Sequence, residues 1–94
     1  MGRAEYKVKG GKLIKVQLTK KGDEIRKIKI TGDFFLHPEE LIEELEEALT
    51  GSLLNESDLT QRIKAFIEKK EATLLGASPE DFAKCVIMAG EKDG

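Results

Sequence analysis

The chain has 94 residues, enough for one domain with one modest hydrophobic core. Its 16 basic and 18 acidic side chains leave a net charge of −2, which gives the whole molecule no attraction to nucleic acid or to an anionic membrane. The single cysteine, Cys85, excludes an internal disulfide framework, and no apolar run is long enough for a membrane span. We therefore expect a single cytoplasmic domain over residues 1–94.

Three runs of alternating apolar and polar residues occupy the first third of the chain. Their apolar members are, in order, Tyr6 and Val8, then Ile14, Val16 and Leu18, then Ile28 and Ile30. Gly10-Gly11 separates the first two runs and Lys20-Lys21-Gly22-Asp23 separates the last two, as tight turns between strands would. The pattern predicts a three-stranded antiparallel meander.

A helical period begins after Gly32. Pro38 is expected at the first helical position, where a backbone N–H is not needed, with Glu39 and Glu40 favourably placed against the helix dipole. The apolar stripe of this helix consists of Leu41, Ile42, Leu45, Ala48 and Leu49, and Gly51 provides the C-terminal cap.

Two further helices are predicted in the remainder of the chain. Asn55 and Ser57 are both good N-cap residues for the second helix, and its apolar stripe is Leu59, Ile63, Phe66 and Ile67. Ser78 and Pro79 open the third helix, which closes at Gly90. The apolar residues of the third helix are Phe82, Ala83, Val86 and Ile87.

These elements predict an α+β fold in which a three-stranded antiparallel sheet is followed by three helices packed on one face, in two layers. Residues 1–31 hold 10 Lys or Arg and 3 acids, whereas residues 32–94 hold 6 and 15, so the two layers are expected to differ in charge. The outer sheet face carries Lys7, Lys9, Lys15, Lys27 and Lys29. The acidic face of the first helix carries Glu39, Glu40, Glu43, Glu44, Glu46 and Glu47, which we expect to be solvated.

Residues suited to catalysis or metal binding are scarce. A nucleophilic triad needs three mutually bonded groups and a structural zinc site about four Cys or His ligands, but the chain has one histidine and one cysteine. Cys85 lies among apolar helix residues, which favours a packing role, and His37 suits a capping or solvent-facing role. We therefore predict no catalytic residue and no metal site in this chain.

Two short motifs are candidate binding features. Gly10-Gly11-Lys12 could present backbone N–H groups and an ammonium to a phosphate, although a hairpin turn alone explains the glycines. In Gly32-Asp33-Phe34-Phe35, the glycine could permit a close backbone approach and the aspartate could accept hydrogen bonds in its own turn. One phenylalanine can pack inward while the other is exposed as an anchor for a partner protein, or both can enter the core.

Five segments together carry a family resemblance, and the most specific of them contains Gly32-Asp33-Phe34-Phe35-Leu36-His37-Pro38. The segments are residues 5–8, 10–14, 30–40, 45–51 and 76–81. In this order they resemble the C-terminal accessory domain of lipoate-protein ligases. The resemblance covers most of the chain.

The resemblance implies a non-catalytic accessory subunit, in the separately encoded small-subunit form, because the chain begins with methionine and lacks a larger domain. Such a subunit forms a heterodimer with the catalytic subunit of lipoate-protein ligase and serves chiefly the ATP-dependent activation of lipoate to lipoyl-adenylate. The lipoyl group then passes to a lysine of a carrier protein, which is an indirect partner. This chain alone is expected to bind no cofactor, and ATP and lipoate are expected to bind in the complex.

The residues expected at the partner or active-site edge are Gly10, Gly11, Lys12, Gly32, Asp33, Phe34, Phe35 and His37. Two other hypotheses remain open. The charge-separated layers also suit a generic protein-interaction module with no link to lipoylation. A nucleic-acid binder would use the basic sheet face, but the aromatic platform that stacks bases is missing, so we expect no nucleic-acid binding.

Overall fold

Three consecutive strands form one layer of the molecule. In the computed structural model, which describes residues 1–93, they are β1 (Gly2–Lys7), β2 (Leu13–Lys21) and β3 (Glu24–Gly32). They pair antiparallel in the order β1-β2-β3, which confirms the predicted meander. The first strand begins before its alternating pattern is visible, because the small residues Gly2 and Ala4 take the buried positions there.

The apolar face of the sheet is built from cross-strand pairs. Val16 lies opposite Ile30, and Leu18 lies opposite Ile28. The register then shifts between Thr19 and Lys20, so that β3 carries one extra residue, a β-bulge. The sheet is therefore regular at the end near Gly32 and bulged at the β2–β3 turn.

Three helices cover this apolar face, as predicted. They are α1 (Leu41–Leu49), α2 (Glu56–Lys69) and α3 (Pro79–Glu91). α3 packs on β1 and β2, α1 lies against β3, and α2 packs on α3. The core between the two layers contains Ile14, Val16, Leu18, Ile25, Ile30, Leu45, Leu49, Leu59, Ile63, Phe82, Cys85 and Val86, all of them fully buried.

Side-chain caps define the starts of α2 and α3. The Asn55 side-chain oxygen accepts a hydrogen bond from the Asp58 N–H at 2.9 Å, so Asn55 and not Ser57 caps α2. Ser78 and Asp81 form a reciprocal capping box ahead of Pro79. Because caps act within one turn of chain, both helix starts were visible in the sequence.

The start of α1 differs from the prediction. The Leu41 N–H donates to the Pro38 carbonyl and the Ile42 N–H to the Glu39 carbonyl, both at 3.1 Å. These hydrogen bonds span three residues and form a turn ahead of the helix. Pro38 is therefore not the first helical residue, and α1 begins at Leu41.

A second, two-stranded sheet was missed by the sequence analysis. β4 (Phe35–His37) pairs antiparallel with β5 (Thr73–Leu75), which lies between α2 and α3. The prediction that residues 32–38 lead directly from a strand into a helix is therefore wrong. Strands of three residues are too short for an alternating pattern to be recognised, and their pairing depends on a distant segment.

The charged layers are arranged largely as predicted. The five predicted lysines of the outer sheet face are all exposed. On α1, Glu46 is an exception to the solvated acidic face: it is half-buried, and its Oε2 accepts a hydrogen bond from the Ile30 N–H at 2.7 Å. No helix within residues 1–93 combines the length and the apolar character needed to cross a bilayer.

Candidate functional site

Gly32, the last residue of β3, lies in close contact with Leu13, the first residue of β2. Its φ is +148°, and a Cβ atom at this position would collide with the Leu13 carbonyl oxygen. The Asp33 N–H donates to the same oxygen at 2.9 Å. Only glycine permits so close an approach, so the predicted close backbone contact at Gly32 is present. The link formed by Asp33 runs through its backbone and not, as predicted, through its carboxylate.

The Gly10-Gly11-Lys12 turn lies at the same end of the molecule. Gly10 and Gly11 have φ values of +106° and +100°, and the Gly11 N–H donates to the Val8 carbonyl at 3.0 Å. This N–H is therefore used within the turn, whereas the Lys12 side chain is exposed. The methylene groups of Lys12 lie across Gly76, the residue that follows β5, with Cγ 2.9 Å from where a Cβ of Gly76 would stand.

Phe34 packs toward the helices. Its ring meets the buried ring of Phe82 edge to face, with the centroids 4.7 Å apart and the planes at 83°. This geometry is favourable for aromatic pairs and ties the segment after β3 to α3. Phe34 therefore has a structural role and holds the neighbouring residue in a defined position.

Phe35 points outward from the second sheet. It is 47% exposed and lies opposite Leu75, which is 58% exposed. The ring of His37 stacks on that of Phe35, with the centroids 5.8 Å apart and the planes at 4°. We refer to Phe35, His37 and Leu75 as the Phe35 patch. Of the two predicted arrangements of the phenylalanines, the structure has one ring inward and one exposed.

An open cavity of ≈ 310 Å³ adjoins the Phe35 patch. It is formed by β3, β4 and α1 and is lined by Ile30, Thr31, Gly32, Phe34, Phe35, Leu36, Glu39 and Ile42. Its volume is at the small end of the range for ligand sites, about 300–1,000 Å³. An open, mainly apolar hollow beside exposed apolar side chains suits the side chain of a docked protein.

Cys85 and His37, the single cysteine and the single histidine of the chain, do not form a catalytic pair. Cys85 is fully buried, and its Sγ is 3.6 Å from the Ala4 carbonyl oxygen and 3.7 Å from that of Ile14. Burial raises the pKa of the Cys85 thiol to about 11, so it is protonated at neutral pH. His37 is exposed and stacked on Phe35. Within residues 1–93, no three His, Cys, Asp or Glu side chains come together as a metal site would require.

The structure thus brings most of the predicted site residues to one end of the molecule. The Gly10-Gly11-Lys12 turn leads into Leu13 at the start of β2, and the Leu13 carbonyl contacts Gly32 and Asp33. Phe35 and His37 lie on β4, the next strand along the chain. Leu75 was missed by the sequence analysis. Thr73-Leu74-Leu75 before Gly76 is a weak strand signal that could have indicated it, but nothing local shows that it pairs with Phe35.

Comparison with known proteins gives a consistent result for nearly the whole chain. Residues 3–86 match the family described as bacterial lipoate protein ligase C-terminus. The chain is 38% identical over 81 residues to lipoate-protein ligase A subunit 2 of Thermoplasma acidophilum, covering 86% of this chain and 82% of that protein.

A solved structure gives the same result for the fold. It is described as an archaeal lipoylation system from Thermoplasma acidophilum, a bipartite lipoate protein ligase and its E2 lipoyl domain. One of its chains superimposes on this one with a TM-score of 0.77 at 34% identity, covering 89% of this chain and 91% of that chain. The similarity in fold therefore extends over most of both chains.

Proposed function

Because this chain belongs to the family of bacterial lipoate protein ligase C-termini, we propose that it is the non-catalytic accessory subunit of a two-part lipoate-protein ligase. The similarity to a protein named as a ligase subunit, over most of the length of both chains, supports a separate subunit in a heterodimer. The catalytic subunit is then the direct partner. The lipoyl-carrier protein is the substrate of the complex.

The reaction of such a complex has two steps. The lipoate carboxylate attacks the α-phosphorus of ATP, which forms lipoyl-adenylate and releases pyrophosphate. The amine of a carrier lysine then attacks the acyl carbonyl carbon and releases AMP. In this proposal ATP and lipoate bind in the complex with the catalytic subunit, in the cytoplasm, and this chain alone binds no cofactor.

The observation that carries the proposal is the Phe35 patch. Two large apolar side chains on facing strands, Phe35 and Leu75, are each about half exposed beside an open apolar cavity. The patch is held in place by the Gly32–Leu13 contact on one side and the Phe34–Phe82 pair on the other. Exposed aromatic residues at defined positions are typical anchors of protein interfaces. We assign the patch to the contact with the catalytic subunit.

Docking at this end gives the accessory subunit a positioning role. An acyl-adenylate hydrolyses readily, so a second subunit that covers the active site protects it by excluding water. The same closure aligns the lipoate carboxylate with the α-phosphate. Lys12, exposed at the same end, adds a positive charge where phosphate groups would be enclosed.

The direct test is reconstitution with the catalytic subunit. Pyrophosphate release from ATP and lipoate, measured without carrier protein, reports the first step alone. We expect release to be slow with the catalytic subunit alone and to rise with added accessory subunit until a 1:1 complex forms. Equal rates with and without this chain would refute the proposed function.

The interface is tested by Phe35→Ala. Loss of an aromatic anchor commonly costs about 2 kcal/mol or more in binding, so half-maximal activation should require at least about tenfold more of this variant. Leu53→Ala is the matched control, because Leu53 is similarly exposed, at 54%, but lies between α1 and α2 away from the patch. Activation by Phe35→Ala at the same concentration as Leu53→Ala would show that the patch is not the contact.

A further inference from the structure

The turn between β2 and β3 carries a cluster of positive charge at the end of the molecule opposite the Phe35 patch. Lys20, Lys21, Arg26 and Lys27 line an open cavity of ≈ 530 Å³ together with Met1 and Thr19. We call these four cations the cationic hairpin end. None of the described residues that line the cavity is acidic. Lys21, Arg26 and Lys27 are exposed, and Lys20 is half-buried.

The β-bulge creates this cluster. A regular strand would turn alternate residues of β3 toward the core, but the register shift leaves both Ile25 and Ile28 buried. The two residues between them, Arg26 and Lys27, are therefore both exposed. The bulge places two adjacent cations on the surface where a regular strand would place one.

Several acids lie near these cations without pairing with them. Glu43, Glu46 and Glu47 of α1 line another open cavity together with Arg26 and Lys27. The Asp93 carboxylate is occupied by the Lys20 N–H at 2.8 Å and the Met1 ammonium at 3.0 Å, which are both backbone groups. Glu24 faces Lys21 across the turn and lines the neighbouring cavity. Among residues 1–93, the ion pairs within 4.0 Å do not include any side chain of the cationic hairpin end.

Unpaired like charges repel one another, and an anionic partner relieves this repulsion. The surface provides no aromatic ring on which nucleic-acid bases could stack. The nine residues of β2 separate the cationic hairpin end from the Phe35 patch by roughly 26 Å. The cationic hairpin end therefore lies away from the face assigned to the catalytic subunit. These features leave an acidic protein surface as the partner that the cluster fits.

We infer that the cationic hairpin end receives an acidic surface of the lipoyl-carrier protein, an inference that rests on the proposed function. The carrier is the third protein of the reaction and must bind and leave in every turnover. Exposed charges suit such a transient contact, because they accelerate encounter more than they prolong residence. The accessory subunit thereby contributes to carrier selection as well as to the activation of lipoate.

The test is the charge-reversing variant K21E/R26E/K27E in the complex with the catalytic subunit. We expect the KM for carrier to rise about tenfold at low salt, within the range of electrostatic steering, and this difference to shrink as salt is added. Carrier-independent pyrophosphate release should be unchanged, which also shows that the variant is folded. The variant K21R/K27R keeps the charges and should retain the wild-type KM.

The possible results separate this inference from the proposed function. An unchanged KM with normal pyrophosphate release would overturn the carrier contact and leave the proposed function intact. Reduced pyrophosphate release by K21E/R26E/K27E would assign the surface to the catalytic subunit and also overturn the inference. Failure of the wild-type chain to stimulate pyrophosphate release would refute the proposed function itself.

Discussion

Phe34 and Phe35 are adjacent and chemically identical, yet they have opposite roles. The second sheet and α3 decide the difference: Phe34 meets Phe82, whereas Phe35 lies on the outward face of β4 beside Leu75. The local pattern of a strand ending near Gly32 allowed either ring to turn inward. Which phenylalanine is available to a partner is therefore a property of the packed molecule and not of the motif.

At the scale of single residues, Gly32 gives the sharpest stability prediction. Gly32→Ala should lower the free energy of unfolding by about 3 kcal/mol, because a Cβ would require both an unfavourable φ and displacement of the Leu13 carbonyl. Thermal or urea unfolding of the purified variant measures this loss.

Gly10→Ala is the matched control for that prediction. Gly10 also has a positive φ, +106°, but nothing lies within 4 Å of the point where its Cβ would stand, so only the conformational cost of about 1 kcal/mol remains. The additional loss of stability in Gly32→Ala over that in Gly10→Ala measures the cost of the close contact with the Leu13 carbonyl. Equal losses in the two variants would show that Gly32 does not contact the start of β2 in solution.

At the scale of elements, α1 does more than present acids to solvent. β3 is an edge strand, and an edge exposes unpaired backbone N–H groups that invite pairing with another chain. Glu46 occupies one of them by accepting from the Ile30 N–H. The sequence analysis placed Glu46 on the solvated acidic face, because the helical pattern could not show that the edge of β3 lies within reach.

We predict that Glu46→Ala destabilises the protein by about 1–2 kcal/mol, since it leaves the Ile30 N–H without its charged acceptor. Amide hydrogen exchange at Ile30 should accelerate, and urea unfolding should report the lost stability. Glu47→Ala is the control, because Glu47 is an exposed neighbour on the same helix. The same exchange rate at Ile30 in both variants would mean that Glu46 does not protect the edge.

At the scale of the whole molecule, the two ends of the sheet differ in chemistry. The end that contains Gly32 presents the apolar Phe35 patch, and the β2–β3 turn presents four cations. In the proposed complex, the first surface contacts the catalytic subunit and the second contacts the carrier. The strands set their separation, and the helices leave both uncovered.

Association with the catalytic subunit should therefore stabilise this chain by mass action. At a partner concentration of one hundred times Kd the gain is about 2.7 kcal/mol, and a tenfold weaker Kd removes about 1.4 kcal/mol of it. We expect wild type and Leu53→Ala to gain equally in hydrogen-exchange protection and Phe35→Ala to gain less at the same partner concentration. Protection that does not depend on partner concentration would argue against the heterodimer.

Much of this fold was determined by local chemistry that the sequence displays. Alternation predicted β2 and β3, the helical period predicted three helices, and Asn55 and Ser78 identified the starts of two of them, because each signal acts within a few residues. The motif around Gly32 likewise indicated the family. Pro38 misled the assignment of the first helix, since a turn with proline ahead of a helix resembles a helix start.

Only the tertiary structure decided what is exposed and what is joined. The pairing of β4 with β5, the outward position of Phe35 beside Leu75, the bond from Ile30 to Glu46 and the cations grouped at the bulge all depend on residues that are distant in sequence or on a shift in strand register. Local periodicity records which side of an element is apolar. It does not record which distant segment meets that element, and in this protein those meetings form the surfaces assigned to its partners.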